Sequence, residues 1–282
     1  MKVVVLGASG FVGRHLSTAL AARGDDVVAA SLRDVDAAAR ACEGADAVVN
    51  LSGESIAQRW TTEVKQRIRS SRVDAPRALV DRLRKSTSPP KVYVTASAIG
   101  YYGTSESAMF VEASPPGDDF LARVCVDWEA EAMRAADFGA RVTRVRNGLV
   151  LGTDGGALAK IMPLFRVGAG GVVASGRQWY SWIHLDDAVA IYLDAVDRLD
   201  GPVNAVAPNP VRNGDFTTAL AHAVHRPALA RVPEFALRLI LGDGAVVATQ
   251  GQRVIPERVL AFGYRFKFTE IGSALSDLSA KA

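Results

Sequence analysis

Residues 1–13 read MKVVVLGASGFVG, in which an apolar run opens directly into three closely spaced glycines. Glycine lets the backbone turn sharply and approach a phosphate closely. The following apolar residues have helical spacing, so a helix N-terminus with free N–H groups would face the same point. The stretch therefore predicts a strand, a dinucleotide-phosphate loop and a helix, with cofactor contacts from Gly7, Ser9, Gly10, Phe11, Val12 and Gly13. Because the spacing G-x-x-G-x-x-G differs from the commonest dinucleotide pattern, a purely structural turn stays the alternative.

Apolar strand-like runs alternate with helical segments beyond this stretch. Strands are predicted at 27–31, 47–51, 92–97 and 142–146, and helices at 74–84 and 128–136 among others. This alternation predicts an α/β fold, a doubly wound parallel sheet of Rossmann type. The glycine-rich segment 152–176 is predicted to cross over the strand ends as a loop, where it would act as a substrate lid. Segment 235–241 is apolar enough to predict a packed helix.

The composition excludes several classes of protein. The chain has 282 residues, 49% of them hydrophobic, which is enough for a large core. Its 33 basic and 30 acidic residues form no basic tract interleaved with aromatics, so no nucleic-acid partner is expected. No apolar run reaches membrane-helix length, and Met1 leads at once into a strand, leaving no room for a signal peptide. With only two cysteines and scattered histidines, no metal site is expected, and the location is predicted to be cytoplasmic.

The end of the second predicted strand bears on the choice of cofactor. A carboxylate there binds the ribose hydroxyls of NAD, whereas the 2′-phosphate of NADP needs a cation and no carboxylate. Here the strand runs into Ser31 and Arg33, and the first carboxylate is Asp34. Ser31 and Arg33 therefore favour NADP(H) over NAD(H). A solvated loop arginine is the alternative interpretation of Arg33.

The third predicted strand ends in a turn of small residues. Leu51, Ser52 and Gly53 would let the cofactor lie against the backbone, although an ordinary strand-to-loop turn explains them as well. The helix that follows carries three arginines, which are typical of a solvated face. Of these, Arg72 is the one predicted to reach inward.

Several motifs together resemble a known family. They are GASGFVG at 7–13, NLSGE at 50–54, TASA at 95–98, WIHLDD at 182–187 and GQRVIP at 251–256. The chain resembles an extended short-chain dehydrogenase/reductase of an atypical epimerase-like subfamily that ends in a small domain of unknown function. The resemblance implies an NADP(H)-binding Rossmann domain at 1–230 and a small substrate-side domain at 231–282. It also implies cofactor contacts from Ser31, Leu51, Ser52 and Arg72, and by analogy a homodimer.

Active members of this superfamily use a Tyr-x-x-x-Lys pair on one helix face, where the ammonium lowers the phenol pKa. No Tyr-x-x-x-Lys occurs in this chain, and alignment places Leu121 and Cys125 at those two positions. Ser97 matches the serine that orients the substrate oxygen. Tyr101 and Tyr102 follow it closely, and each would supply a phenol or an aromatic wall of the pocket.

For several other candidate residues, an ordinary structural role is the alternative to a catalytic one. His184 would titrate near neutrality, yet its segment is mainly structural in the family, with Asp186 and Asp187 as caps of the next helix. Cys125 is predicted to be a buried apolar residue. Arg146, Asn147 and Arg177 are placed at the mouth of the site, where an arginine would clamp an anion.

Two functions therefore remain open. One is an oxidoreductase or epimerase-like enzyme on a small or sugar-like substrate, with an altered proton donor. The other is a non-catalytic NADP(H)-binding sensor or regulatory module. Hydride chemistry comes from the cofactor and needs one positioned donor from the protein, which favours the enzyme.

Overall fold

A six-stranded parallel sheet lies at the centre of the computed structural model, which describes all 282 residues. The strands of the chain are β1 (Lys2–Leu6), β2 (Asp26–Ala30), β3 (Ala47–Asn50), β4 (Val92–Ala98), β5 (Met109–Phe110), β6 (Arg141–Asn147), β7 (Leu149–Leu151), β8 (Gly171–Val173), β9 (Trp179–Tyr180), β10 (Trp182–His184), β11 (Gly201–Ala205), β12 (Val211–Arg212), β13 (Ala230–Val232) and β14 (Arg253–Val254). The central sheet has the order β11-β6-β4-β3-β1-β2, with every neighbouring pair parallel. The predicted Rossmann-type sheet is confirmed.

Helices cover both faces of this sheet. They are α1 (Phe11–Ala22), α2 (Val35–Cys42), α3 (Thr62–Arg72), α4 (Asp74–Leu83), α5 (Phe120–Met133), α6 (Leu158–Arg166), α7 (Leu185–Asp197), α8 (Asn213–Ala223), α9 (Glu234–Leu241), α10 (Val246–Thr249), α11 (Glu257–Ala261) and α12 (Ile271–Ala280). Because successive strand side chains point to opposite faces, Val3 and Val5 pack with α1 and α7, whereas Val4 and Leu6 pack with α2 and α4. A strand buried on both faces explains the unbroken apolar run of β1.

The C-terminal part of the chain packs against the earlier elements. Helix α12 lies on α8 in a separate apolar cluster that includes Trp182 and Phe216. The buried carboxylate of Asp187, in α7, accepts hydrogen bonds from the backbone amides of Lys267 at 2.8 Å and Phe268 at 3.0 Å. This carboxylate therefore fastens segment 264–268 to the sheet domain.

Helix α9 differs from the expectation at 235–241. The helix forms, but none of its residues is buried, and Phe235, Leu239 and Ile240 are 74%, 73% and 65% exposed. The prediction of a packed helix was wrong because an apolar composition specifies a nonpolar surface and not the element that covers it.

Two other predicted boundaries also change. The predicted loop 152–176 contains helix α6 and strand β8, so the loop interpretation was wrong over much of its length. The many glycines of this segment favoured a loop, although Leu158, Met162 and Phe165 have helical spacing and are buried on one face of α6. The helix predicted at 128–136 begins earlier, at Phe120, where the Asp119 side chain accepts a hydrogen bond from the Ala122 amide.

None of the helices is both long enough and apolar enough to cross a lipid bilayer.

Candidate cofactor and active site

The loop between β1 and α1 has the geometry of an anion cradle. Gly7 adopts φ +83°, a conformation that favours glycine. A Cβ on Gly13 would lie 2.2 Å from the Gly7 carbonyl oxygen, so the first turn of α1 packs directly on the loop. No side chain caps this helix, and the amides of Phe11 and Val12 have no acceptor within the chain. These free N–H groups and the positive end of the helix dipole attract a phosphate.

Phe11 contributes to the loop in two different ways. Its amide is one of the free donors, whereas its ring packs against the segment that follows β7. A Cβ on Gly152, Gly155 or Gly156 would come within 2.6, 2.4 and 2.9 Å of that ring. Asp154 in the same segment pairs with the half-buried His15 of α1 at 2.7 Å. The start of the glycine-rich segment is therefore held against the phosphate loop.

The C-terminal end of β2 presents Ser31 and Arg33 to solvent. The Ser31 hydroxyl accepts a hydrogen bond from the Arg33 amide at 3.3 Å, and the Arg33 guanidinium has no acidic partner. Asp34 is the N-cap of α2, where its side chain accepts a hydrogen bond from the Ala37 amide at 2.9 Å. The nearest carboxylate is thus occupied in capping, which leaves a cation and a hydroxyl at the end of β2.

The turn after β3 lies against the phosphate loop. A Cβ on Gly7 would approach the Leu51 carbonyl carbon and the Ser52 amide nitrogen at 3.1 Å, so the two turns touch through their backbones. A Cβ on Gly53 would lie 2.9 Å from the guanidinium carbon of Arg72. The predicted cofactor residues of the three strand ends are therefore neighbours at one edge of the sheet.

Arg72 reaches inward from the end of α3. Its guanidinium lies over the Trp128 ring, 5.3 Å from the ring centroid, and donates to the Ile68 carbonyl at 3.3 Å. It forms no salt bridge, and burial lowers its pKa, although the charge of Glu54 acts in the opposite direction. A largely buried cation with no carboxylate partner suits an anionic ligand.

Ser97, at the end of β4, belongs to a buried polar cluster. Its hydroxyl donates to Glu129 Oε1 at 2.7 Å. Arg146, from β6, binds both carboxylate oxygens of Glu129, at 2.8 and 2.9 Å. These residues are 2%, 3% and 2% exposed, so the serine oxygen is held in one orientation.

The two tyrosines that follow β4 have different environments. The buried Tyr102 hydroxyl donates to Asn204 at 2.7 Å and accepts from Arg146 at 2.9 Å, and burial raises its pKa to about 12. Tyr101 is only half-buried, its hydroxyl has no hydrogen bond within the chain, and its ring lies 3.5 Å from the Arg146 guanidinium carbon. The geometry therefore leaves Tyr101 as the phenol with a free polar group.

The family model described as "NAD dependent epimerase/dehydratase family" matches residues 3–206, and a domain of unknown function, DUF1731, matches residues 232–278. The chain belongs to the NAD-dependent epimerase/dehydratase family. The division at residue 230 stays a prediction.

Similar proteins are found in plants and animals. "Epimerase family protein SDR39U1 homolog, chloroplastic" of Arabidopsis thaliana is 40% identical over 98% of this chain and 86% of the relative. The crystal structure of the human epimerase family protein SDR39U1 with NADPH has a TM-score of 0.94 at 34% identity, with both chains fully covered. A Thermotoga maritima UDP-glucose 4-epimerase is 17% identical with a TM-score of 0.83 over 99% of this chain and 98% of the epimerase, and shares the fold. The cytoplasmic location and the homodimer stay predictions.

Leu121 and Cys125, the two α5 residues that the resemblance matches to the family's tyrosine and lysine, supply no group that titrates near neutral pH. Leu121 lies beside Gly100, whose Cβ would be 3.5 Å from the Leu121 Cβ, so the turn that carries Tyr101 packs at the family's tyrosine position. Cys125 is buried, and burial raises the pKa of its thiol to about 12. A thiol in that environment stays protonated and unreactive.

The other candidate site residues, His184 and Arg177, make mostly structural contacts. The buried His184 ring stacks on Phe268 at 4.0 Å, and its Nδ1 accepts a hydrogen bond from the Asp186 amide at 3.0 Å. His184 is therefore the cap of α7, and the expectation that Asp186 and Asp187 cap it was wrong. Burial lowers the His184 pKa, so the ring is neutral and its Nε2 donates to Asp277. Arg177 lies on the surface in an ion pair with Glu106.

Asn147 lies at the end of β6, where its amide nitrogen donates to the Ser97 carbonyl at 3.1 Å. Sequence reasoning missed Glu129, the residue that joins Ser97 to Arg146. The available signal was its spacing, since Leu121, Cys125 and Glu129 follow one another at four-residue intervals and so share one helix face.

Proposed function

We propose that this chain is an NADP(H)-dependent oxidoreductase or epimerase-like enzyme that acts on a small or sugar-like substrate. The observation that carries the proposal is the glycine cradle with uncapped α1 amides, next to Ser31 and Arg33 at the end of β2. The amides would hold the diphosphate, and Arg33 the 2′-phosphate. The human relative crystallised with NADPH supports the same choice.

The cofactor, when bound, supplies or accepts hydride. Tyr101 would exchange the proton, because its hydroxyl is free and its turn packs beside the family's tyrosine position. The Ser97 hydrogen already points to Glu129, so the serine oxygen would accept a hydrogen bond from the substrate. Arg72 would bind an anionic part of the cofactor beside Gly53.

Replacing Arg33 with alanine is expected to weaken NADPH binding about 10-fold and leave NADH binding unchanged, since one charge-assisted contact to the 2′-phosphate is lost. Titrations followed by cofactor fluorescence measure both dissociation constants. Arg40→Ala is the matched control, because Arg40 is an exposed arginine in the last turn of the neighbouring helix α2. An Arg33→Ala variant with unaltered NADPH preference would show that the assignment of the phosphate site is wrong.

A screen of metabolite extracts, followed by NADPH absorbance, tests for enzyme activity. We expect turnover that falls at least about 100-fold in Tyr101→Phe, because general acid–base catalysis contributes about 10²–10⁴-fold. Tyr93→Phe is a matched control, since Tyr93 is fully buried on β4. Equal turnover by Tyr101→Phe and the wild type would exclude Tyr101 as the donor.

A non-catalytic NADP(H)-binding module is the second candidate function. The observation that favours it is the absence of any Tyr-x-x-x-Lys in the chain, with Leu121 and the buried Cys125 at the positions that the resemblance matches to that pair. Tight NADPH binding without turnover across broad extracts would favour the module.

A further inference from the structure

The outer side of α9 carries more exposed large apolar side chains than any other helix of the chain. Phe235 and Leu239 lie one turn apart, Ile240 follows them, and each is at least 65% exposed. We call these three residues the α9 face. Leu237 and Leu241, which are also one turn apart, are half-buried, so the helix has an inner and an outer side. A contiguous apolar patch on a protein surface marks an interaction site more often than scattered exposed residues do.

The position of α9 is fixed at both ends. Strand β13, which leads into the helix, pairs with β8. At the other end, the amide of the buried Trp60 donates to the Leu241 carbonyl at 3.1 Å. The α9 face is therefore presented outward from a rigid support.

Two arginines without a carboxylate partner adjoin this face. Arg59 Nη1 donates to the Leu239 carbonyl at 2.5 Å, which places the guanidinium at the C-terminal end of α9. Arg231 lies in β13, just before the helix begins. Both side chains are exposed, and neither forms a salt bridge, so each is free to meet an external anion.

The acidic residues of segment 231–243 are already neutralised. Glu234 pairs with Arg238 at 2.7 Å within α9, and Asp243 pairs with Lys65 of α3 at 2.6 Å. The charges of this segment and its direct contacts that remain unpaired are therefore both cationic. A partner that complements the surface must combine an apolar layer with negative charge.

The size of the α9 face decides between a protein and a lipid partner. A stable protein interface buries about 800 Å² on each side, and three side chains of one short helix supply roughly half of that area. A lipid surface requires less. An amphipathic helix binds there when its apolar side enters the boundary between headgroups and acyl chains and its basic residues meet anionic headgroups.

We propose that the α9 face docks on the surface of a lipid bilayer that contains anionic lipid. Helix α9 would lie in the plane of the surface, with Phe235, Leu239 and Ile240 among the upper acyl chains. Arg59 and Arg231 would bind the lipid phosphates, since their long side chains keep the charge at headgroup level. This peripheral association does not depend on the proposed function.

The test is co-sedimentation of the full chain with vesicles of two compositions. One is phosphatidylcholine and phosphatidylglycerol in equal parts, and the other is phosphatidylcholine alone. We expect the wild type to bind the anionic vesicles at least about 10-fold more tightly than the neutral ones, because two cations lie at the lipid surface.

The apolar contribution is measured with the Phe235→Ser/Leu239→Ser variant. Its binding to the anionic vesicles should be at least about 30-fold weaker than that of the wild type, because two large side chains no longer leave water. Leu164→Ser/Val167→Ser is the matched control, since it removes two exposed apolar side chains at α6 and should bind like the wild type. Thermal unfolding shows whether each variant is folded.

The charge contribution is measured with the Arg59→Gln/Arg231→Gln variant. It should lose the preference for anionic over neutral vesicles. Arg40→Gln/Arg265→Gln has the same net charge and replaces two exposed arginines elsewhere, so it should keep that preference. This comparison separates a local contact from attraction by the overall charge of the protein.

Three results would overturn the proposal. One is a wild-type protein that does not bind the anionic vesicles, and another is equal binding by the wild type and Phe235→Ser/Leu239→Ser. The third is a wild-type dimer in light scattering that this variant converts to a monomer, since the α9 face would then be covered by a second copy of the chain. The vesicle measurements need neither NADPH nor a substrate, so their outcome is independent of the cofactor assignment.

Discussion

Replacing Glu129 with leucine is expected to lower the free energy of unfolding by about 3–5 kcal/mol, because Arg146 would be left as a buried charge without a partner. Glu129 binds this arginine through both carboxylate oxygens, and both side chains are shielded from water. Although burial opposes it, the hydrogen bonds and charge of Glu129 raise the pKa of Arg146. Arg146 therefore stays charged, and the variant must bury this charge without a carboxylate partner. Denaturant unfolding measures the change.

A double-mutant cycle separates the ion pair from simple loss of packing. Glu129→Leu combined with Arg146→Met removes both charges of this pair and leaves only Arg144, whose Nη1 lies 3.5 Å from Glu129 Oε2, without its carboxylate. We therefore expect the double variant to recover part of the lost stability. Asp36→Asn is the control at an exposed ion pair, with Arg82, and should change stability by about 1 kcal/mol or less. A Glu129→Leu loss no larger than that of Asp36→Asn would contradict a tightly coupled buried pair.

Replacing Gly13 with alanine is expected to weaken NADPH binding at least about 30-fold, which corresponds to about 2 kcal/mol. The added methyl would lie 2.2 Å from the Gly7 carbonyl oxygen, and backbone cannot rotate away as a side chain can. Helix α1 must therefore shift from the loop and withdraw the free amides of its first turn. Cofactor fluorescence gives the affinity, and circular dichroism shows whether the fold persists.

Gly272→Ala provides the matched control for this substitution. Gly272 also lies in the first turn of a helix, α12, but a Cβ there meets nothing within 4 Å. Alanine should raise the stability by up to about 1 kcal/mol through its helix propensity and leave NADPH binding unchanged. Similar effects of the two substitutions would argue against a close contact between α1 and the phosphate loop.

The sequence anticipated those parts of the candidate site whose geometry is set by the local backbone. The roles of Gly7 and Gly13 follow from their positions, because a strand that leads through a glycine turn into a helix allows few backbone geometries. Arg33 and Asp34 were identified in the same way, as neighbours at one strand end. The capping role of Asp34, which removes the competing carboxylate, appears only in the folded chain.

Side-chain roles that depend on distant partners were not accessible in this way. The sequence does not distinguish Tyr101 from its neighbour Tyr102. In the folded chain, only the Tyr102 hydroxyl is occupied, through hydrogen bonds with Arg146 and Asn204. Glu129 belongs to no recognisable sequence motif, because its role depends on contacts with Ser97 of β4 and Arg146 of β6.

The sequence by itself determined the parallel sheet, the glycine turn between β1 and α1, the hydroxyl and cation at the end of β2, and the absence of the Tyr-x-x-x-Lys pair. Each of these depends on spacing within one strand or helix, where hydrophobic periodicity and glycine geometry act over a few residues. Only the tertiary structure decided which tyrosine keeps a free hydroxyl, which carboxylate holds Ser97, and that α9 is left uncovered. These outcomes depend on which remote side chains meet, since burial and hydrogen bonding are properties of the assembled fold.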